Sequence, residues 1–187
     1  MHFDSRIGIA FVYFSFSRTG AAQNVTKILA TIIKQLARQK NVIPEELRQF
    51  CRKHYRDADS PSAEQLEARL SELMGTFDQV YLVIDALDEF DDRGSFLPII
   101  TGFVQGSDPS VKLKVFVTSR REKDIVVHLT RPGFPTIQIE AQKVDADIAA
   151  FVHHQVEQWD ENVAGFPIDQ KLRGEVVHAL STKSNGM

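Results

Sequence analysis

The chain has 187 residues, of which 43% are hydrophobic and 25% are charged, and its formal net charge is -3. This length and apolar content suit one globular domain with a small appendage. The charge balance lacks the basic signature of nucleic-acid binding, and one cysteine, Cys51, excludes an internal disulfide and a cysteine-rich metal site. The sequence has neither a membrane-spanning apolar stretch nor a signal-peptide pattern, so we expect a cytoplasmic protein without membrane partners.

Strands and helices are predicted to alternate along most of the chain. β-Branched and aromatic residues predict a strand over 7–16, and apolar residues at helical spacing predict a helix that follows Asn24 and ends near residue 39. Pro44 and Pro98 are placed in the first turns of their helices, and Gly75 at a helix C-cap. The other predicted elements are helices over 44–55, 62–74, 96–105 and 122–129, and strands ending at 85, over 113–117 and over 136–139.

This alternation predicts an α/β fold, in which a parallel sheet carries helices on its faces. From Val144 onwards the pattern changes to helices alone, over 145–159 and 169–182. We therefore predict two domains, an α/β core over 1–143 and the start of a helical subdomain over 144–187.

The run from Tyr81 to Phe90 ends a predicted buried strand with three acids. Four apolar residues precede Asp85, and Asp88 and Glu89 follow it closely. The C-terminal ends of parallel strands open onto the ligand crevice of an α/β sheet. Carboxylates at that edge hold Mg²⁺ through its waters and orient a water for attack on a phosphate. The alternative is a strand that ends in a solvated acidic turn, and the spacing alone leaves both readings open.

A second short apolar strand ends in hydroxyls and an arginine, namely Thr118, Ser119 and Arg120. An arginine at this end of the sheet can reach the γ-phosphate of a nucleotide. Its alternative role is that of an ion-pair partner for Asp85 or Asp88.

Together these motifs resemble the NACHT/nephrocystin-like NTPase module of large fungal signalling proteins of the STAND class. The resemblance implies a P-loop NTPase-like sheet that uses Mg²⁺ with ATP or GTP. It also implies that Asp85 orients the Mg²⁺ through water, that Asp88, or else Glu89, positions the attacking water, and that Arg120 senses the γ-phosphate. The matching pieces are Phe11 to Arg18, Gln35 to Ala37, Tyr81 to Phe90, Val117 to Glu122, Asp147 with Ile148, and Lys183 to Met187.

One departure from the family dominates the functional prediction. No G-x-x-x-x-G-K-[ST] motif occurs in the 187 residues, although that loop supplies the backbone N–H groups and the lysine that hold the phosphates. The family places it just upstream of the first strand here, so we expect a core truncated at both ends, with weak or absent ATP binding and no activity alone. Self-association, or contact with other domains of the same protein, is the expected partnership. The alternative is a non-catalytic interaction domain that has lost nucleotide binding.

Overall fold

The computed structural model describes residues 6–15, 24–57, 59–106, 112–130, 134–139, 141–162 and 170–183. The chain divides into two compact units, Met1–Pro135 and Thr136–Met187. The sequence prediction put the division slightly later, after residue 143. Predicted features at Phe16, over 17–20 and over 184–187 lie outside the described residues.

A three-stranded parallel sheet forms the centre of the first unit. Its strands are β1 (Ile7–Tyr13), β2 (Gln79–Asp85) and β3 (Leu113–Val117), in the order β1-β2-β3. The register places Tyr13 beside Asp85 and Ile84 beside Val117, so all three strands end at one edge of the sheet. The α/β fold with a parallel sheet is confirmed.

Seven helices accompany the described strands, and local sequence signals explain several of their ends. The Asn24 side chain accepts a hydrogen bond from the Lys27 backbone N–H, as an N-cap does. Ser62 and Gln65 form a reciprocal capping box, and Gly75 is the C-cap of the same helix. The helices are α1 (Val25–Ala37), α2 (Glu45–Asp57), α3 (Ala63–Met74), α4 (Arg93–Gln105), α5 (Lys123–Leu129), α6 (Ala141–Asn162) and α7 (Gln170–Lys183).

In the described part of the first unit, one face of the sheet is buried and the other is largely exposed. Alternate residues of β1 and β2 point into a core to which α1, α3 and α4 also contribute. Gly8 shows how closely the helical layer approaches the sheet, because a Cβ there would meet the Leu36 Cδ2 atom at 3.0 Å and the Phe77 ring at 3.1 Å. Besides Gly8, the buried residues on this face of the two strands are Ala10, Val12, Val80, Leu82 and Ile84.

The opposite face of the sheet is apolar but exposed. Phe11 is 48% exposed, and Tyr13 and Phe116 are each 63% exposed. Strands of a parallel sheet are normally covered on both faces. The exposed apolar face, which we define as Ile7, Ile9, Phe11, Tyr13, Tyr81 and Phe116, is therefore the main departure of this unit from an ordinary α/β layer structure.

Two sequence predictions are wrong in the structure. Residues 136–139 form no strand, and Ile137 and Ile139 are exposed instead. A strand needs backbone pairing with a neighbour, which β-branched composition alone cannot supply. Helix α4 begins at Arg93 rather than near 96, so Pro98 lies inside it and not in its first turn. No helix in the described part of the chain is sufficiently long and apolar to span a bilayer.

Candidate functional site

The predicted site residues gather at the C-terminal edge of the sheet. Asp85 is the last residue of β2, and Asp88 and Glu89 lie in the 3₁₀ turn Leu87–Glu89 that follows it. Thr118 and Arg120 come directly after β3, the neighbouring strand. The ends of β2 and β3 are also joined by backbone hydrogen bonds, from Thr118 N–H to the Ile84 carbonyl and from Leu87 N–H to the Thr118 carbonyl, at 2.9 and 3.0 Å.

A strained residue turns the chain between the first acid and the other two. Ala86 has φ 54° and ψ 49°, the left-handed conformation, and it is the only non-glycine with positive φ among the described residues. A left-handed residue with a Cβ is disfavoured by about 1–2 kcal/mol, and the penalty grows for β-branched side chains. This conformation gives a physical reason for a small residue after Asp85. Beyond it, Leu87 enters the core, where it is fully buried.

Asp85 is held by a threonine from the next strand. The Thr118 hydroxyl donates a hydrogen bond to Asp85 Oδ1. The Thr118 hydroxyl oxygen in turn accepts a hydrogen bond from the Ala86 backbone N–H at 3.0 Å. Thr118 therefore orients both the carboxylate and the strained peptide that follows it. The sequence showed a hydroxyl at this strand end, but the strand register was needed to identify its partner.

Asp88 and Arg120 contact each other. The Arg120 backbone N–H donates to Asp88 Oδ1 at 3.0 Å, and its Nε lies 3.7 Å from Asp88 Oδ2. The Asp88 side chain is only 11% exposed, whereas that of Arg120 is 68% exposed. The structure thus contains the ion pair that the sequence left open as an alternative role for Arg120. Arg120 thus lies at the sheet edge with most of its side-chain surface accessible to solvent.

Glu89 closes the 3₁₀ turn. Its backbone N–H donates to the Ala86 carbonyl at 2.9 Å, and its side chain is partly buried. Two of the predicted acids therefore share this turn, and the third, Asp85, ends the strand just before it.

Arg93, which the sequence did not single out, fastens the acidic turn to helix α5. Its Nη1 donates to the backbone carbonyls of Asp88 and Phe90, the latter at 3.1 Å. Its Nε donates to Asp124 Oδ2 at 2.8 Å. This hydrogen bond lowers the pKa of Asp124 and raises the pKa of Arg93, burial opposing both shifts. In the sequence, Arg93 cannot be distinguished from an ordinary solvent-exposed arginine. Its partners are identified by the fold.

An aromatic cluster supports the turn from the core side. Phe14, just after β1, stacks on Phe90 with ring centroids 4.5 Å apart. Phe96 of α4 meets both rings edge-on, at 6.1 Å and 5.7 Å. All three rings are buried, so the residues that follow Asp88 and Glu89 are anchored by packing.

The donor set at this edge limits which metal it suits. The described residues include no group of three or more His, Cys, Asp or Glu side chains that could hold a metal ion. Mg²⁺, however, is typically held by one or two carboxylates and completes its coordination with waters and substrate phosphates. Asp85, oriented by the Thr118 hydroxyl, fits the role of such a water-mediated ligand.

Comparison with known proteins identifies the family. Residues 2–120 match the family described as Nephrocystin 3, N-terminal. The match includes the four predicted site residues, Asp85, Asp88, Glu89 and Arg120, together with Thr118 and Arg93. Comparison with curated proteins and with solved structures gives no match. Because the match covers well over half of the chain, this protein belongs to the nephrocystin 3 N-terminal family.

Proposed function

We propose that the chain is part of a nucleotide-binding and oligomerisation module of the NACHT type, from a STAND-class signal-transduction ATPase. The observation that carries this proposal is the meeting of Asp85 and Asp88 with Thr118 and Arg120 at the ends of two adjacent parallel strands. Carboxylates, a hydroxyl and a guanidinium at that edge suit a Mg²⁺-bound polyphosphate. A cytoplasmic location, and partnership with a second copy or with other domains of the same protein, belong to the same proposal.

In this proposal each side chain has one role. Asp85 orients Mg²⁺ through a water, Asp88 positions the water that attacks the γ-phosphate of ATP or GTP, and Glu89 is the second candidate for that role. The Arg120 side chain leaves Asp88 and binds the γ-phosphate instead. The contact that has to be exchanged is a loose one, because Arg120 Nε lies 3.7 Å from Asp88 Oδ2 and the arginine side chain is mostly exposed. Release of Arg120 also frees Asp88 to accept a hydrogen bond from water.

Affinity for nucleotide is expected to be weak. No Walker A sequence occurs in the 187 residues, so the backbone donors and the lysine that bind phosphates are missing from this chain. Binding then depends on the metal and on Arg120. We therefore expect millimolar rather than micromolar affinity, and no measurable turnover by this chain alone.

Manganese can test the site directly, because this paramagnetic substitute for Mg²⁺ broadens the NMR signals of nearby amides. We expect Mn²⁺ with ATP to broaden the amide signals of Ala86, Thr118 and Arg120 selectively. Asp85→Asn should abolish that pattern, whereas Asp147→Asn, which removes an exposed acid from helix α6, should leave it unchanged. Broadening that survives Asp85→Asn, or that is no stronger at the sheet edge than at other exposed acids, would refute the proposal.

A second candidate function is a non-catalytic interaction domain. The exposed apolar face of the sheet favours it, because monomeric proteins seldom leave a contiguous apolar surface uncovered. The existing contacts of Asp85 with Thr118 and of Asp88 with Arg120 also show that the acids have structural roles without a nucleotide. In the manganese experiment this candidate predicts no selective broadening at the sheet edge.

A further inference from the structure

Strand β1 has the composition of an aggregation-prone edge. Its seven residues, IGIAFVY, contain no charge and no proline, and among the described strands its one neighbour is β2, so it lies at one side of the sheet. Short uncharged segments of high β-propensity pair readily with other chains when their edge is open. The charged residues, bulges and prolines that usually protect such edges are absent from this strand.

Two glutamines of helix α1 and the turn after it occupy that edge. Gln35 accepts a hydrogen bond from the Phe11 N–H at 2.9 Å and donates one to the Phe11 carbonyl at 2.8 Å. Gln39 does the same at Ile9, at 2.9 Å and 2.6 Å. Each side-chain amide therefore satisfies both backbone groups of one residue, which is what a neighbouring strand would do. We call this arrangement the glutamine ladder.

The ladder works because two repeat distances nearly match. Residues four apart in a helix are separated by about 6.0 Å along its axis. Strand residues two apart are separated by about 6.6 Å, and residues at that spacing direct their backbone groups to the same side. Gln35 lies in the last turn of α1 and Gln39 in the turn that continues it, so their amides can meet Phe11 and Ile9, which are two residues apart on β1 and run in the opposite direction.

The ladder is held rigidly enough to compete with an incoming strand. Between the two glutamines, Leu36 and Ala37 are buried in the core, which fixes the end of α1 against the sheet. The Gln39 amide also donates to the Gln35 backbone carbonyl at 2.9 Å, and both side chains are partly buried. No similar pair of side chains binds the outer edge of β3 within the part of the chain that the structure describes. Among the described residues, the glutamine ladder therefore occurs at the β1 edge and not at the β3 edge.

We propose that Gln35 and Gln39 act as a surrogate strand, whose function is to block pairing of β1 with the β1 strand of a second copy of this chain. The proposal does not depend on nucleotide chemistry. It also explains how a strand of seven residues without a charged side chain can lie at the edge of a sheet. Any association of copies through their sheets is thereby kept away from this edge.

The test compares Gln35→Leu/Gln39→Leu with Gln49→Leu/Gln105→Leu. Both double variants replace two glutamines by leucine in the same unit, and Gln49 and Gln105 are exposed residues of α2 and α4. Light scattering over a concentration series and thioflavin T fluorescence are measured for both, beside the unmodified chain. We expect concentration-dependent, thioflavin-positive association of the ladder variant only. Equal behaviour of the two double variants would overturn the proposal.

Single variants keep the proposal testable if the double variant does not fold. Hydrogen exchange at low concentration should show about 2- to 10-fold faster exchange of the Phe11 amide in Gln35→Leu, and of the Ile9 amide in Gln39→Leu. The Leu82 amide in central strand β2 is the internal reference and should not change. Unchanged exchange at Phe11 and Ile9 would mean that the amides do not occupy the edge, and the proposal would fail.

Discussion

Ala86 lies between Asp85 and Asp88 of the candidate site and has a strained backbone conformation. Its left-handed conformation is disfavoured for any residue with a Cβ. We expect Ala86→Gly to raise the free energy of unfolding by about 0.5 kcal/mol, because relief of that strain exceeds the entropy that glycine adds to the unfolded chain. Ala68→Gly, in the exposed interior of α3, should instead lower it by about 1 kcal/mol. Urea unfolding measures both, and equal destabilisation would show that Ala86 is not left-handed in solution.

Sequence reasoning placed these residues at one edge of the sheet, but it could not assign all their contacts. Asp85, Asp88, Glu89 and Arg120 followed from strand ends, since parallel strands must finish at a common edge. The hydrogen bond from Thr118 to Asp85 depends on which residues of β2 and β3 stand side by side, a register that no local pattern contains. The catalytic and binding roles of these residues stay predictions.

At the scale of elements, the Arg93–Asp124 ion pair joins the start of α4 to α5. The pKa of Asp124 is lowered in the folded chain by the hydrogen bond from Arg93, so the stabilisation is fully present above the unfolded pKa of about 3.9 and is lost as the pH falls through the folded value. Asp124→Asn should therefore lower the free energy of unfolding by less than about 1 kcal/mol at pH 7, since the carboxylate is partly exposed.

Urea unfolding as a function of pH checks this pair. The difference between the unmodified chain and Asp124→Asn should shrink as the pH falls below about 4 and vanish below the lowered folded pKa of Asp124, where the carboxylate is protonated in both states. Asp59→Asn removes an exposed acid from the connection before α3 and should show no such convergence. A difference that persists at low pH would assign the effect to packing rather than to charge.

Element types were predictable wherever a local signal and the tertiary structure agreed. The Asn24 cap and the Ser62 start each satisfy backbone N–H groups locally, so these helix ends lie within a residue or two of their predicted places. The predicted start of α4 was too late, because proline usually occurs in the first turn of a helix and Pro98 was assumed to do so. In the structure the helix begins at Arg93, and Pro98 lies inside it. The strand over 136–139 failed because strand formation depends on a neighbour and not on composition alone.

At the scale of the whole first unit, the core lies on one side of the sheet, and two adjacent strands allow a direct test. Ile84 of β2 is 1% exposed on the buried face, and Phe116 of β3 is 63% exposed on the opposite face. We expect Ile84→Ala to lower the free energy of unfolding by about 2–5 kcal/mol through lost burial and a cavity. Phe116→Ala should change it by no more than about 0.5 kcal/mol.

The dependence of stability on protein concentration shows whether a second copy covers the exposed apolar face. Urea unfolding of both variants at low and high protein concentration separates a free face from one that another copy covers. If Phe116→Ala is neutral when the chain is dilute and destabilising when it is concentrated, a second copy covers the face by mass action. A large loss at every concentration would contradict the one-sided core, because it would mean that the ring is already buried within the chain. A neutral result throughout would leave the exposed apolar face available to another domain, as the interaction-domain hypothesis requires.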